Sequence, residues 1–309
     1  MRVEKLKRLL PLLAFGMVIW LTFEDRFQDA LILFFLLFSY ILIQVFKNNN
    51  ELVEEEELVV QPTAPAISKA AYLTYYGDEL DFTAESIELI LTKRFSYFNK
   101  LSELEKNRFI TRLQAFMDDK VFKIHDKNGF KEMPILISAV AIQLTFGLQK
   151  FKLPNFEFIH VFPREFMRTQ PSISLLEGNV SGHAINLSWK HFLEGIENNK
   201  DGQNVGLHEM AHALYYQTFI VEENVDNNFR NLYDDFEADG NKVYTIEVSA
   251  TLGLYSDYAH RNLQEFWAES VELFFEKPRD LKSHYPSLFE SMKELLNQDP
   301  LNTFASVIG

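Results

Sequence analysis

The sequence predicts a mostly helical α+β fold with a small sheet, an active-site helix, and a second helix that adds a ligand to the same site. Apolar residues recur at helical spacing over much of the chain, whereas only two short segments have strand composition. Residues 206–214 carry two histidines four positions apart, with a glutamate directly after the first. Two uncharged apolar runs near the N-terminus add predicted transmembrane helices.

Length and composition limit the function classes. With 309 residues, 47% of them hydrophobic, the chain can bury the core of one or two domains. A net charge of −14 argues against a nucleic-acid-binding surface, which needs clustered Lys and Arg. The chain has no cysteine, so disulfides, thiolate metal sites and thiol nucleophiles are excluded. A metal would therefore be held by His, Asp or Glu.

Residues 1–46 predict a membrane hairpin. The runs 9–23 and 30–46 are uncharged, although each is shorter than the ~20 residues that cross a bilayer directly. A signal peptide is the alternative, but it leaves the second run unexplained and lacks a clear cleavage site. Four basic residues precede the first run and the turn between the runs is net negative. The positive-inside rule then places the N-terminus and the rest of the chain on the cytoplasmic side.

A linker follows the hairpin at residues 47–69. It contains three asparagines, the acidic run 54–57 and two prolines, and we interpret it as a solvated spacer. The domain is predicted to cover residues 70–309.

The predicted elements of this domain follow in order. Helical spacing covers residues 84–117, a polar turn-like stretch covers 118–131, and a buried helix covers 133–148. Strands are predicted at 156–162 and 178–189 from their aromatic and β-branched residues and their flanking Pro and Gly.

Two histidines in these predicted strands are interpreted as structural residues and not as metal ligands. His160 is predicted to be a structural strand residue, and His183, beside Gly182, a turn or edge residue. The polar segment 222–242 lacks a clear period and is predicted to be a long loop over the cleft.

The motif His208-Glu209-x-x-His212 is the chemical centre of the sequence. On a helix the two imidazoles lie on one face, where they can hold one Zn²⁺ with Glu209 beside them as general base. Leu207, Met210, Ala211 and Leu214 fall on the opposite, core-facing side. The alternative is a pair of core histidines, which would need several burial partners.

A peptidase site needs a third protein ligand and an open position. The metzincin extension is excluded, because Tyr215 and Thr218 stand where that class has Gly and His. Candidates lie instead in residues 263–276.

Four glutamates of this segment lie within ~60° of one helical face. A solvated acidic stripe is one interpretation, and it suits Glu272 and Glu276. Glu265 is the better ligand, with Glu269 one turn later as the acceptor of a histidine N–H.

The segments AINLSWKHFLEG, DGQNVGLHEMAHAL and YAHRNLQEFWAESVELFFEKPRDLKSHYPSLFESMKELLNQDPL resemble the M90 zinc peptidases, the Mlc titration factor A (MtfA) family. The resemblance extends over about residues 85–301. It implies a zincin-like domain with Glu265 as third ligand, a gluzincin-type set, Glu209 as catalytic glutamate and Tyr258 as a stabiliser of the transition state. Tyr215 departs from the family, which often has Asp there, as do the hairpin and segment 222–242.

The sequence thus predicts a membrane-anchored zinc peptidase with one Zn²⁺ per chain, a peptide or protein substrate, and a cytoplasmic catalytic domain. Two alternatives remain open. One is a membrane-tethered regulator that binds a partner protein, for example a transcriptional regulator, with zinc mainly structural. The other is a protease whose domain faces the outside.

Overall fold

The computed structural model describes residues 73–126, 129, 132–168, 174–249 and 253–302. The chain divides into two units, Met1–Val59 and Val60–Gly309, and all described residues belong to the second. The predicted hairpin and the whole predicted linker lie outside the described residues. No helix within these ranges is both long and apolar enough to cross a membrane.

Helices dominate the described chain, which confirms the mostly helical α+β class. The longer helices are α1 Ala84–Arg94, α2 Glu103–Met117, α3 Glu132–Thr145, α4 Trp189–Glu197, α5 Val205–Tyr216, α6 Asn227–Ser249, α7 Leu263–Glu276, α8 Pro278–His284 and α9 Pro286–Leu296. Short 3₁₀ turns cover Gly77–Glu79, Phe98–Lys100 and Ala259–Arg261, and a π-turn at Gln217–Val221 extends α5.

A five-stranded mixed sheet has the order β1-β2-β3-β7-β6. Its strands are β1 Leu73–Tyr76, β2 Val121–Ile124, β3 Phe158–Phe162, β6 Gly178–Ser181 and β7 Ala184–Ser188. The central strands β2, β3 and β7 run parallel, whereas β1 and β6 pair antiparallel at the two edges. A separate two-stranded ribbon joins β4 Phe166–Arg168 to β5 Ser174–Leu176.

Helix α3 lies at the centre of the core. Every residue from Met133 to Thr145 is buried, as the charge-free sequence predicted. Helix α5 packs against α3 on one side and against α7, β6 and β7 on others. Strands β3 and β7 contribute alternate residues to the core, including Ile159 and Leu187, as the two-residue period of a strand requires. Helix α5, which carries both histidines of the motif, is therefore held between the sheet edge and α7.

Three sequence predictions differ from the structure. Residues 178–189, predicted to be a single strand, form the two antiparallel strands β6 and β7 joined by a turn at Gly182 and His183. The stretch 118–131 contains β2, which is too short to give a periodic signal but pairs with β3 along its whole length. Segment 222–242 is mostly helix α6 and not a loop. Four aromatic and apolar residues of α6 are buried at helical spacing: Phe229, Tyr233, Phe236 and Val243.

Candidate functional site

Helix α5 presents its two histidines away from the core. Its N-cap is Asn204, whose side chain accepts a hydrogen bond from Leu207 N at 3.0 Å. A Cβ at Gly206 would lie 2.7 Å from the Phe192 ring, so glycine allows α4 and α5 to approach closely. The predicted core stripe is confirmed, since its four residues are at most 3% exposed: Leu207, Met210, Ala211 and Leu214.

His208, His212 and Glu265 converge on one point. The Nε2 atoms of His208 and His212 lie 3.1 Å apart, and Glu265 Oε2 lies 3.0 Å from the first and 3.1 Å from the second. Ligands held ~2.0–2.1 Å from a tetrahedral metal would be about 3.3–3.4 Å apart. We call His208, His212 and Glu265 the triad. The spacing of their three ligand atoms therefore fits a metal ion.

Helix α7 is positioned against α5 by its cap and by a buried tryptophan. The Asn262 side chain accepts hydrogen bonds from Gln264 N and Glu265 N, so the helix begins two residues before the triad glutamate. Trp267 is fully buried and donates from Nε1 to Ala211 O at 3.0 Å. This contact fixes which face of α7 meets the histidines.

Glu272 orients His208. Nδ1 of His208 lies 2.7 Å from Glu272 Oε1, and Glu272 Oε2 accepts a short hydrogen bond from Asn204 N. A metal at the triad would take the Nε2 lone pair, and the ring would then keep its proton on Nδ1 and donate it to the Glu272 carboxylate. Burial raises the pKa of Glu272, and the hydrogen bond from His208 opposes that rise.

The structure thus corrects the interpretation of the acidic face. Glu269, expected to accept a histidine N–H, instead accepts hydrogen bonds from Ser256. Glu272 and Glu276, which suited a solvated stripe, are 5% and 8% exposed. Glu276 accepts from Gly202 N and from Asn204 Nδ2, and burial raises its pKa to about 8.

The pKa values of the site follow from burial and pairing. Burial raises the pKa of Glu265, but the hydrogen bonds from His208 and His212 outweigh it and bring the pKa to about 2. Glu265 is therefore a carboxylate at neutral pH, as a metal ligand must be. Burial also raises the pKa of Glu209, to about 8, against the opposing effect of His208.

Glu209 lies beside the triad without a partner on one oxygen. It is 5% exposed, and among the described residues its buried Oε2 has no hydrogen-bond partner. Gly178, at the start of edge strand β6, packs against it: a Cβ there would lie 2.6 Å from Glu209 Cγ and Oε1. The sequence did not single out Gly178, since its role depends on a contact between distant segments.

Tyr258 lies beside the triad. Its ring centroid is 5.9 Å from that of His208, and the Arg261 guanidinium stacks 4.2 Å over the ring. The side chain is 40% exposed. Burial and the nearby Glu265 carboxylate raise its pKa, so the phenol keeps its proton at neutral pH.

A cleft of about 960 Å³ opens over His208, Glu209 and Tyr258. The loop before Tyr258 lines one part of the cleft, and Gly178 of β6 lines another. Its lining is rich in carboxylates, including Glu177, Glu194, Glu197 and Asp201. An extended chain of residues could therefore reach the triad.

Three other residues considered in the sequence lie away from the triad: His160, His183 and Tyr215. His160 stacks on Phe162 and pairs with His125, whose Nε2 is 2.8 Å from His160 Nδ1. His183 lies in the β6–β7 turn, with Nδ1 3.0 Å from Asn155 O. Tyr215 packs on Phe219 and Tyr233. None of these residues joins the triad.

Comparison with known proteins found a family model and a relative that match this chain. The family model described as glucose-regulated metallo-peptidase M90 matches residues 79–296. An uncharacterized protein of Synechocystis sp., slr2042, is 23% identical over 261 residues, which cover 75% of this chain and 94% of that protein.

Proposed function

Since the chain belongs to the M90 family of glucose-regulated metallo-peptidases, we propose that it is a zinc-dependent peptidase with Glu209 as general base. One observation carries the proposal: three ligand atoms converge within 3.1 Å of one another, next to a buried glutamate oxygen that has no partner in the described structure. His208 and Glu209 both line the cleft. Peptide hydrolysis uses this combination of ligands and base.

His208, His212 and Glu265 would hold one zinc ion per chain. Bound there, zinc supplies Lewis-acid chemistry that brings the pKa of water toward ~7. Neutral imidazoles and a carboxylate suit zinc, and the chain has no thiolate to compete for it. Glu272 supports the set by holding the Nδ1 proton of His208.

Glu209 moves the protons of the reaction. Its Oε2 takes the proton of the attacking water and delivers it to the departing amine nitrogen. Burial raises the pKa of Glu209 to about 8, and a cation held at the triad would lower it again toward the carboxylate form that accepts a proton. Gly178 keeps the carboxylate within the cleft by leaving room for it.

Tyr258 donates a hydrogen bond to the oxygen of the former carbonyl. Its raised pKa keeps the hydroxyl protonated, and its ring lies beside His208. A preorganised donor at this position stabilises charge that develops in the transition state.

The substrate is a peptide or protein that enters the cleft in extended form. Strand β6 has β7 on one side and ends the described sheet on the other, so its outer backbone groups can pair with an added strand. The carboxylates of the cleft favour peptides with basic residues. These features also support a zincin-like architecture with a gluzincin-type ligand set.

Membrane anchoring completes the proposal. Residues 9–23 and 30–46 form the two membrane segments, and the domain faces the cytoplasm, as the charge distribution favours. A reporter fused after residue 60 that is active only in the cytoplasm should be active. Silence of that reporter, with a periplasmic reporter active instead, would reverse the orientation.

The decisive experiment compares the full-length chain with Glu209→Gln. Elemental analysis should find one zinc per chain in both proteins, while peptide cleavage should fall by about 10²–10⁴-fold in the variant. Glu237→Gln, an exposed acid of α6 that does not line the cleft, serves as the control and should keep full activity. Full cleavage by Glu209→Gln would contradict the proposal and favour a structural role for zinc.

A further inference from the structure

Two carboxylates from different helices hold the loop that carries Tyr258. We propose that Glu247 and Glu269 are positioning residues that set the place of the Tyr258 hydroxyl beside the triad. The inference rests on the proposed peptidase function and adds two residues to it. It gives Glu269 a role different from the one its position on the acidic face predicted.

Glu247 of α6 is fully buried under the loop. Its carboxylate accepts hydrogen bonds from Leu254 N at 3.0 Å, from Tyr255 N at 3.4 Å, and a short one from the Tyr285 hydroxyl. In the described part of the chain no Lys, Arg or His forms an ion pair with it. A buried carboxylate is costly unless hydrogen bonds satisfy it, so the loop amides and Glu247 depend on each other.

The approach of the loop to Glu247 is close enough to require a glycine. A Cβ at Gly253 would lie 1.8 Å from Glu247 Oε2. Tyr255, two residues later, is buried, and its ring stacks on Phe266 with a centroid distance of 4.5 Å. Its hydroxyl lies 2.8 Å from Ser270 Oγ. Phe266 and Ser270 belong to α7, so the loop is attached to the helix that supplies Glu265.

Glu269 holds the other end of the loop. It accepts a hydrogen bond from Ser256 N at 3.0 Å and a short one from Ser256 Oγ. Ser256 Oγ in turn accepts a hydrogen bond from Tyr258 N at 3.0 Å. Glu269 is thus connected to the Tyr258 backbone through a single residue, and it stands one helical turn after Glu265.

The Tyr258 side chain depends on these anchors because it is half-exposed. The contacts of its ring, with His208 and Arg261, do not bury it. The hydroxyl lies near Glu265, and its placement there depends on the backbone of residues 253–258. A shift of ~1 Å in a group that acts in the transition state can cost about 10²-fold in rate.

The test is a pair of double-mutant cycles on the full-length chain. Glu247→Gln and Glu269→Gln each replace one acceptor oxygen by an amide that donates, which loosens the loop. Each should lower kcat by roughly 10-fold or more, up to the effect of Tyr258→Phe, with zinc content unchanged. In the Tyr258→Phe background neither should lower kcat further, because the group they position is gone.

Hydrogen exchange supplies a readout that is independent of activity. The amides of residues 253–258 should exchange faster in both variants, while those of α7 keep their protection. The matched control is Glu237→Gln, an exposed acid of α6. It should change neither kcat nor the exchange rates of the loop amides.

The outcomes separate the two proposals. Equal losses with and without the Tyr258 hydroxyl, or unchanged loop exchange, would overturn the positioning role. A zinc-loaded wild type without peptidase activity would instead contradict the proposed function, and loop exchange would still test the anchors. If Glu247→Gln fails to fold, Glu269→Gln carries the test, since Glu269 is not part of the core.

Discussion

Helix α7 supplies the triad residue Glu265 and also Glu272, which orients the triad residue His208. Glu265 Oε2 lies 3.0 Å from His208 Nε2, and Glu272, seven residues later, lies 2.7 Å from His208 Nδ1. The same imidazole is thus held on both nitrogens by glutamates of one helix, two turns apart. A rigid helix fixes the separation of these carboxylates, so α7 sets the tautomer and tilt of His208 together.

Glu272→Gln should therefore weaken zinc binding by about 10–100-fold, because the carboxylate that holds the Nδ1 proton is lost. Competition with a chromophoric chelator measures the affinity. Glu269→Gln is the control on the same face, since Glu269 contacts Ser256 and not a histidine. Equal affinities for wild type and Glu272→Gln would show that Glu272 does not tune the metal.

Gly178→Ala should reduce kcat by about 10-fold or more with zinc still bound. The added methyl would lie 2.6 Å from Glu209 Cγ and Oε1, so the carboxylate must move from its place beside the triad. Gly182→Asn in the following turn is the control. Its Cβ meets nothing within 4 Å, and Asn tolerates the left-handed φ of +53° there. A wild-type kcat for Gly178→Ala would mean that the Glu209 carboxylate can accommodate the added methyl group without loss of activity.

Tyr258→Phe should lower kcat by about 10²–10³-fold and leave KM and zinc content nearly unchanged, because the hydroxyl acts only on developing charge. Steady-state kinetics on one peptide separate the two constants. Tyr76→Phe, an exposed tyrosine of β1, should behave as wild type. A rise in KM with constant kcat would instead assign Tyr258 to substrate binding.

The His125–His160 pair should make the fold sensitive to acid. Burial lowers the pKa of each to about 4 from 6.5, and each also feels a further positive neighbour: Lys123 for His125, and His125 for His160. Above about pH 6.5 both are neutral, and their stabilising effect is complete. As the pH falls from 6.5 through 4 the unfolded chain binds protons first, so stability is lost.

Denaturant unfolding between pH 7.5 and 4.5 measures this loss. His160→Phe keeps a ring on Phe162 but removes one of the two groups, so its stability should decline less steeply than that of wild type. Phe166→Leu loses a ring contact with Phe162 but no titratable group, and it should lower stability equally at every pH. Parallel curves for wild type and His160→Phe would assign the acid sensitivity to other groups.

Some residues of the site could be identified from the sequence alone, and others could not. His208, Glu209 and His212 were found from spacing alone, because residues four apart lie slightly more than one helical turn apart and share a face. Glu265 was favoured by its place on an acidic helix face that offers four glutamates, and the family resemblance then selected it. Tyr258 was found through the resemblance alone. Segment 222–242 was predicted to be a loop because its charges obscure the buried positions of α6. Strand β2 escaped notice because four residues are too few for a period.

What the sequence determined by itself is therefore local: the helix that carries both histidines, the apolar face beneath them, the absence of thiolates, and the mostly helical class. The tertiary structure decided which carboxylate serves which purpose. Trp267 packs against Ala211 and fixes the orientation of α7 about its axis. In this orientation Glu265 contacts the two histidines, Glu272 contacts His208 Nδ1, and Glu269 contacts the loop before Tyr258. These pairings join segments more than fifty residues apart or depend on the rotation of one helix against another. Such contacts arise from packing, which no local period records.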